Sequence, residues 1–224
     1  MDYLIAIPAY NAAPTLAELV RRVRAAMPTA GILIIDDGST DSTAELANGL
    51  GTQVIRHPEN RGKGEALRTA YAAALEQGAA ALIQLDADLQ HAPESIAQFV
   101  QAFEEGGADV VVGRRDIRSA RMPKPRQWSN RITSRVVSWL SGQRIPDSQC
   151  GFRLVSRRAM EQVHPRSSRF EFESEFLILA GRAGLRIDSV PIETLYEGEG
   201  TSIRGWRDTF RFVKMALRFV FRKT

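Results

Sequence analysis

The chain of 224 residues holds one cysteine, Cys150, so no intrachain disulfide framework braces it, and a reducing compartment is expected. No run approaches the roughly 18 apolar residues that a membrane-spanning helix needs. The opening residues, Met1-Asp2-Tyr3-Leu4-Ile5, lack the basic region and cleavage site of a secretory leader. Internal repeats, low-complexity stretches, zinc-ligand spacings and RNA-recognition motifs are also missing. These absences leave a globular domain expected in the cytoplasm or peripheral on the cytoplasmic face of a membrane.

Hydrophobic residues at 44% and charged residues at 25% suit one large soluble domain. The net charge of +4 is modest but uneven. From Arg114 to Arg135 there are eight basic side chains and one acid, Asp116; from Arg204 to Lys223 there are seven and one acid, Asp208. Such blocks point to an anionic partner: phosphate, a membrane surface or, least favoured, nucleic acid.

Apolar periodicity alternates between strands and helices. Strands are predicted at Tyr3–Ile7, Ile32–Ile35, Gln53–Arg56, Ala80–Leu85 and Val110–Val112. Helices are predicted at Pro14–Ala26, from an Asp41 N-cap to Gly49, at Gly64–Glu76 and at Pro93–Glu104. Arg118–Arg126, with two prolines and many cations, is expected to be an exposed loop. The alternation predicts an α/β fold, a mostly parallel sheet with helices on both faces. In such sheets ligands bind beyond the carboxyl ends of the strands. Three strands end there in polar sequence: Pro8-Ala9-Tyr10-Asn11, Asp36-Asp37 and Asp86-Ala87-Asp88-Leu89-Gln90. Two carboxylates one residue apart at the end of a buried strand read in two ways: as ligands of a divalent cation, Mg2+ or Mn2+, which would carry a diphosphate, or as two solvated aspartates in a surface loop.

Taken together, these segments resemble family 2 glycosyltransferases of the GT-A (Rossmann-like) fold, in particular the dolichyl-phosphate mannosyl- and glucosyltransferases. The matching segments are Ile7–Asn11, Ile35–Asp41, Asn60–Gly64, Asp86–Gln90, Gly113–Arg115 and Asp147–Arg153. The resemblance implies that Pro8, Tyr10 and Asn11 line the nucleotide pocket and that Asp37 bonds the base. It implies that Asp86, Asp88 and Gln90 hold the metal on the diphosphate of a nucleotide sugar. Ala12 replaces a common glutamate of the family, and Thr201-Ser202 lacks the lysine of its Ser-Lys step, with Arg204 a possible substitute. Lys63, between two glycines at a helix start, reads either as a phosphate contact or as part of a helix-opening turn. Arg115 and Arg131, with Arg126 as a further candidate, are placed by the resemblance at the phosphate of a polyprenyl phosphate acceptor. Arginine suits that task because its planar fork makes paired charge-assisted bonds. Asp147 is the expected charged group near the acceptor; it could instead orient Arg131 or cap a turn. Cys150 is expected to be a packing residue, and Glu173 and Glu175 to precede an apolar helix, Phe176–Gly181.

Residues 1–203 are expected to form the transferase domain and 204–224 a basic amphipathic helix. On that helix Trp206, Phe210, Val213, Leu217 and Val220 share one face, beside a stripe of Arg207, Arg211, Lys214, Arg218 and Arg222. Two readings stay open for it: an interfacial membrane helix, or a helix packed on the domain with its cations in water. The expected activity is inverting transfer of a hexose, from UDP-glucose or GDP-mannose, to a polyprenyl phosphate. The alternatives are transfer to a hydroxyl, which needs a carboxylate base such as Asp147 or Glu175, a nucleotidyltransferase, and a non-catalytic basic membrane-binding module.

Overall fold

The computed structural model describes residues 2–115, 124–193 and 205–221, with backbone alone for 124–126 and 205–207. In chain order the elements are β1 (Tyr3–Ala9), α1 (Ala13–Ala26), β2 (Gly31–Asp36), α2 (Thr43–Gly49), β3 (Gln53–Arg56), α3 (Lys63–Glu76) and β4 (Ala81–Gln84). A 3-10 turn, Pro93–Ser95, then runs into α4 (Ile96–Glu104). They continue with β5 (Val110–Arg115), α5 (Lys124–Ser141), β6 (Arg153–Ser156), α6 (Arg157–Gln162), α7 (Glu171–Arg182), β7 (Ile187–Ile192) and α8 (Gly205–Phe221).

The described strands form one seven-stranded sheet in the order β3-β2-β1-β4-β6-β5-β7. All neighbours are parallel except β6, which runs antiparallel between β4 and β5. This is the mostly parallel GT-A architecture that the resemblance implies. The strand centres are apolar on both faces, as a doubly covered sheet requires: Ile5, Ile7, Ile34, Ile83 and Val111 are fully buried. Helix α1 packs by Leu16, Leu19, Val20 and Val23, the face its spacing predicts. Phe99 of α4 stacks on Phe152 at 4.1 Å between centroids, closing the core beneath β6.

The topology sets the rim. Gln84, the last residue of β4, pairs with Arg153, the first of β6. The Asp147–Phe152 segment therefore arrives at the same rim as the carboxyl ends of β1, β2 and β4. Pro8 does not stop β1; it pairs with Ile35, while β4 reaches β1 no further than Ala6 in the ladder. The missing amide of Pro8 thus breaks no bond to β4.

Three local expectations are corrected. Asp41 is not the N-cap of α2. It accepts from the Thr43 amide (3.0 Å) and from the Ala13 amide opening α1 (3.2 Å), tying the two helix starts together. Helix α7 begins at Glu171, so Glu173 and Glu175 lie inside it, buried. Of the loop expected at Arg118–Arg126, residues 118–123 lie outside the described residues and 124–126 open α5. Thr201, Ser202 and Arg204 also lie outside them.

Candidate active site

The loops after β1 and β2 are fastened to each other. The Asn11 amide donates to Ser39 Oγ (2.9 Å), Asn11 Oδ1 accepts from the Thr40 amide (2.9 Å), and the Ala12 amide donates to Thr43 Oγ1 (2.8 Å). Asn11 sits at φ 52°, in the left-handed region where asparagine is one of the better-tolerated residues. Tyr10 is half exposed at this mouth and Pro8 partly exposed behind it. Asp37 is buried. Its Oδ1 meets His57 Nδ1 at 2.7 Å and the Arg61 amide at 3.0 Å, and its Oδ2 accepts from the Gly62 amide at 2.8 Å. It therefore anchors the Asn60–Gly64 segment.

That segment is no loose turn. Gly62 has φ +98°, and a Cβ there would stand 2.7 Å from the Ser168 carbonyl oxygen. The same carbonyl accepts from the Glu65 amide (3.2 Å), so one amide at the start of α3 is already engaged. Lys63 points instead at carboxylates: its Nζ lies 2.5 Å from Asp86 Oδ1 and 2.9 Å from Glu173 Oε2. Glu173 Oε1 accepts from Gln84 Nε2 (3.1 Å), and Gln84 Oε1 accepts from Tyr71 OH (2.7 Å). Fully buried Arg153 donates to the Glu173, Ser148 and Cys150 carbonyls. Burial alone would depress the Lys63 ammonium, but Asp86 and Glu173 outweigh it and raise its pKa. Burial likewise opposes the Asp86 carboxylate, and the Lys63 charge overcomes it, so Asp86 is held below the usual carboxylate range.

Asp88 stands at the open end of this chain of contacts. Its Oδ1 accepts from the Gln90 amide (3.0 Å) across a turn in which Leu89 adopts φ 57°, a strained value for a bulky residue. Thr15 of α1 holds the same loop from the other side, donating to the Ala87 carbonyl at 2.5 Å. Crowding by protein and then the Asp86 charge raise the Asp88 pKa. Two carboxylates in this proximity, one already matched by Lys63, keep an unmet demand for positive charge. Gln90 is partly exposed beside them. Among the described residues no group of three or more His, Cys, Asp or Glu side chains forms a closed metal cage. A few oxygen donors on an open rim fit a hard cation that keeps water and phosphate oxygens in its shell. Gly151 makes room for Asp86: a Cβ there would lie 2.2 Å from Asp86 Oδ2.

A second buried pair joins the end of β5 to the segment before β6. Arg115 Nε and NH2 bind Asp147 Oδ2 and Oδ1 at 2.7 and 2.9 Å, the Arg115 amide adds a 3.3 Å bond, and Asn130 of α5 donates to Oδ1 at 3.0 Å. Asp147 is fully buried, and burial opposes its charge. The bidentate bond and charge of Arg115 prevail and hold its carboxyl below the usual range. Asp147 thus orients Arg115 rather than Arg131. Arg131, next to Asn130 on α5, is exposed. Glu175 accepts from the Ser167 amide at 2.7 Å and so fastens the segment that packs on Gly62.

Sequence reasoning missed His91, Asn130 and the Gln84–Glu173 contact. Burial pushes the His91 imidazole down to about 4, which leaves it neutral near pH 7. Its Nδ1 has no hydrogen-bond partner, and its Nε2 is 3.9 Å from Cys150 Sγ. Glu173 did leave a signal: an acid in an apolar stretch needs a buried cation as partner.

Residues 4–163 match the family model described as glycosyl transferase family 2. The chain belongs to family 2 of the glycosyltransferases. The transferase is 31% identical, over 96% of each chain, to UDP-N-acetylglucosamine–dolichyl-phosphate N-acetylglucosaminyltransferase of Methanococcus voltae. It is 28% identical to undecaprenyl-phosphate mannosyltransferase of Micrococcus luteus, over 86% of this chain and 83% of the relative. Glucosyl-3-phosphoglycerate synthase of Mycobacterium tuberculosis, solved with Mn2+, UDP-glucose and phosphoglyceric acid, superposes with a TM-score of 0.76. That match covers 100% of this chain and 81% of the other at 19% identity, a likeness of fold.

Proposed function

We propose that this transferase moves a hexose, with inversion, from a nucleotide diphosphate sugar to a polyprenyl phosphate at the cytoplasmic face of a membrane. Residues 1–203 act as the catalytic body and 204–224 as an interfacial helix. Among the described residues no helix is long and apolar enough to cross a membrane, which is compatible with peripheral attachment. The two relatives with lipid-phosphate names support the acceptor class.

The observation that carries the reading is the state of Asp147. A hydroxyl acceptor needs a base, yet the carboxylate on the acceptor side is buried and bonded to Arg115 and Asn130. Glu175 is bonded to the Ser167 amide. A phosphate monoester has a second pKa of about 6, so it is already ionised near pH 7 and needs no base. Arg115, locked in one orientation, and Arg131, which follows Asn130 on α5, would hold that phosphate in line with the anomeric carbon. Tyr10, Pro8, Asn11 and Asp37 would shape the nucleotide end. Asp86, Asp88 and Gln90 would hold Mg2+ or Mn2+, which when bound neutralises the charge gathering on the departing diphosphate. Lys63 would set the position of Asp86.

A donor-by-acceptor assay tests this. Purified protein with Mg2+ or Mn2+ meets UDP-glucose, GDP-mannose and UDP-N-acetylglucosamine, each with and without undecaprenyl phosphate. Lipid-dependent nucleotide release with one donor, abolished by Asp88→Ala, is the expected result. Release that needs no lipid phosphate contradicts it.

A further inference from the structure

Helix α5 has two opposed faces. Its inner face carries Asn130, Ser134 and Val137, all buried, and Asn130 reaches Asp147. Its outer face carries Trp128, Ile132 and Trp139, which are 63%, 55% and 69% exposed. At 100° per residue these three fall within one narrow stripe. Two tryptophans held in water on one helix face are not explained by the core.

Helix α8 repeats the pattern. It packs on the body by Met215 and Ala216, with Phe212 and Phe219 against the core. Phe210 and Leu217 nevertheless point outward, 66% and 46% exposed. The expected apolar face is therefore the solvent face, and a different apolar face does the packing. Arg182 of α7 fastens the two helices. Its Nε donates to the Leu140 carbonyl of α5 (3.1 Å), its NH2 to the Phe219 carbonyl of α8 (3.0 Å), and its guanidinium lies 5.0 Å from the Phe219 ring centroid. The adjacent outer faces are thus held in fixed relation.

Charge selects the occupant. Across α5 and α8 there are eight basic residues and one acid, Asp208. A second copy of the chain would bring the same cations against themselves across a symmetric interface. An anionic bilayer offers headgroups to the cations and an interfacial layer to exposed tryptophan.

We infer that the outer faces of α5 and α8, centred on Trp128, Ile132, Trp139, Phe210 and Leu217, form one docking surface for an anionic lipid bilayer. The inference rests on the lipid-acceptor reading and extends it. Since α5 touches Asp147 with one face and lipid with the other, the Arg115 pair would sit about one helix diameter, roughly 10 Å, from the bilayer surface.

The test is co-sedimentation of the full chain with phosphatidylcholine vesicles, with or without phosphatidylglycerol. Binding is expected to need phosphatidylglycerol and to fall in 1 M NaCl, where the Debye length shrinks to about 3 Å. The double substitution Ile132→Ser with Trp139→Ser should weaken partition at least about tenfold. It should leave transfer to farnesyl phosphate without vesicles unchanged. Lys214→Glu with Arg218→Glu should abolish the phosphatidylglycerol preference. Equal sedimentation of wild type and both variants would overturn the docking surface. So would a solution dimer, by light scattering, that Trp139→Ser converts to monomer. Vesicle binding without transfer to any lipid phosphate would sink the acceptor reading and leave the surface standing.

Discussion

Replacing Asp147 by asparagine separates an orienting carboxylate from a catalytic base. The Asp147 side chain is 0% exposed and that of Arg115 is 6% exposed. Asparagine keeps the shape and one acceptor oxygen but leaves a buried guanidinium facing a neutral group. Breaking one side of a buried pair costs about 3–5 kcal/mol, and the retained acceptor favours the lower end, about 3 kcal/mol. For a chain of this size each kcal/mol lowers Tm by about 2–4 °C, so a drop of about 6–12 °C is expected by circular dichroism at pH 7. The pH dependence has a defined sign. The folded pKa of Asp147 is depressed, so its contribution is whole above the unfolded value, about 3.9, and is lost as pH falls through the folded value. The Tm gap between wild type and Asp147→Asn should stay constant from pH 7 to 5 and close only below about 4. Arg115→Met with Asp147→Leu should recover much of the stability, because it removes both charges together, yet remain inactive on lipid phosphate. A variant Asp147→Asn with wild-type Tm and a lost acidic limb in its pH–rate profile would overturn this role and make Asp147 a base.

Three further outcomes follow from the same geometry. Gly151→Ala places a methyl 2.2 Å from Asp86 Oδ2, so Mn2+-dependent nucleotide binding by calorimetry should weaken about tenfold or more while far-UV circular dichroism is kept. Lys63→Met leaves Glu173, 8% exposed at its side chain, with only the more distant Arg153 guanidinium, at 4.0 Å, as a cation; urea unfolding should show a loss of about 2–3 kcal/mol, and Mn2+ without nucleotide should bind more tightly because a competing cation is gone from Asp86. The Cys150 thiol is fully buried and pushed up to about 12 by that burial; a disulfide reagent at pH 8 should leave it unmodified in the native protein and react at once in urea.

The five strands, four helices and polar strand ends read from residues 1–112 reflect strong apolar periodicity, and the structure places them as expected apart from Asp41 and the strand through Pro8. Two strands escaped. β6 begins with Arg153, whose full burial depends on carbonyls supplied by distant loops, and β7 contains Pro191, which local rules demote. Helix α7, 12 residues long, was read as Phe176–Gly181, half its length, because Glu173 and Glu175 interrupt its apolar pattern; their partners, Lys63 and the Ser167 amide, are set by the tertiary fold. The site was legible as residue types but not as bonds. Nothing local to Lys63 says that it faces Asp86 and Glu173, and nothing local to Asp147 selects Arg115 over Arg131.

In the proposed reaction the nucleophile is a phosphate oxygen. That assignment is tested most directly by offering the enzyme undecaprenyl phosphate and undecaprenol side by side, with labelled donor and Mn2+, and counting label in the organic phase. Transfer to the phosphate and none to the alcohol is expected, with Asp147→Asn slowing transfer without shifting its pH profile. Transfer to undecaprenol at a comparable rate would contradict it.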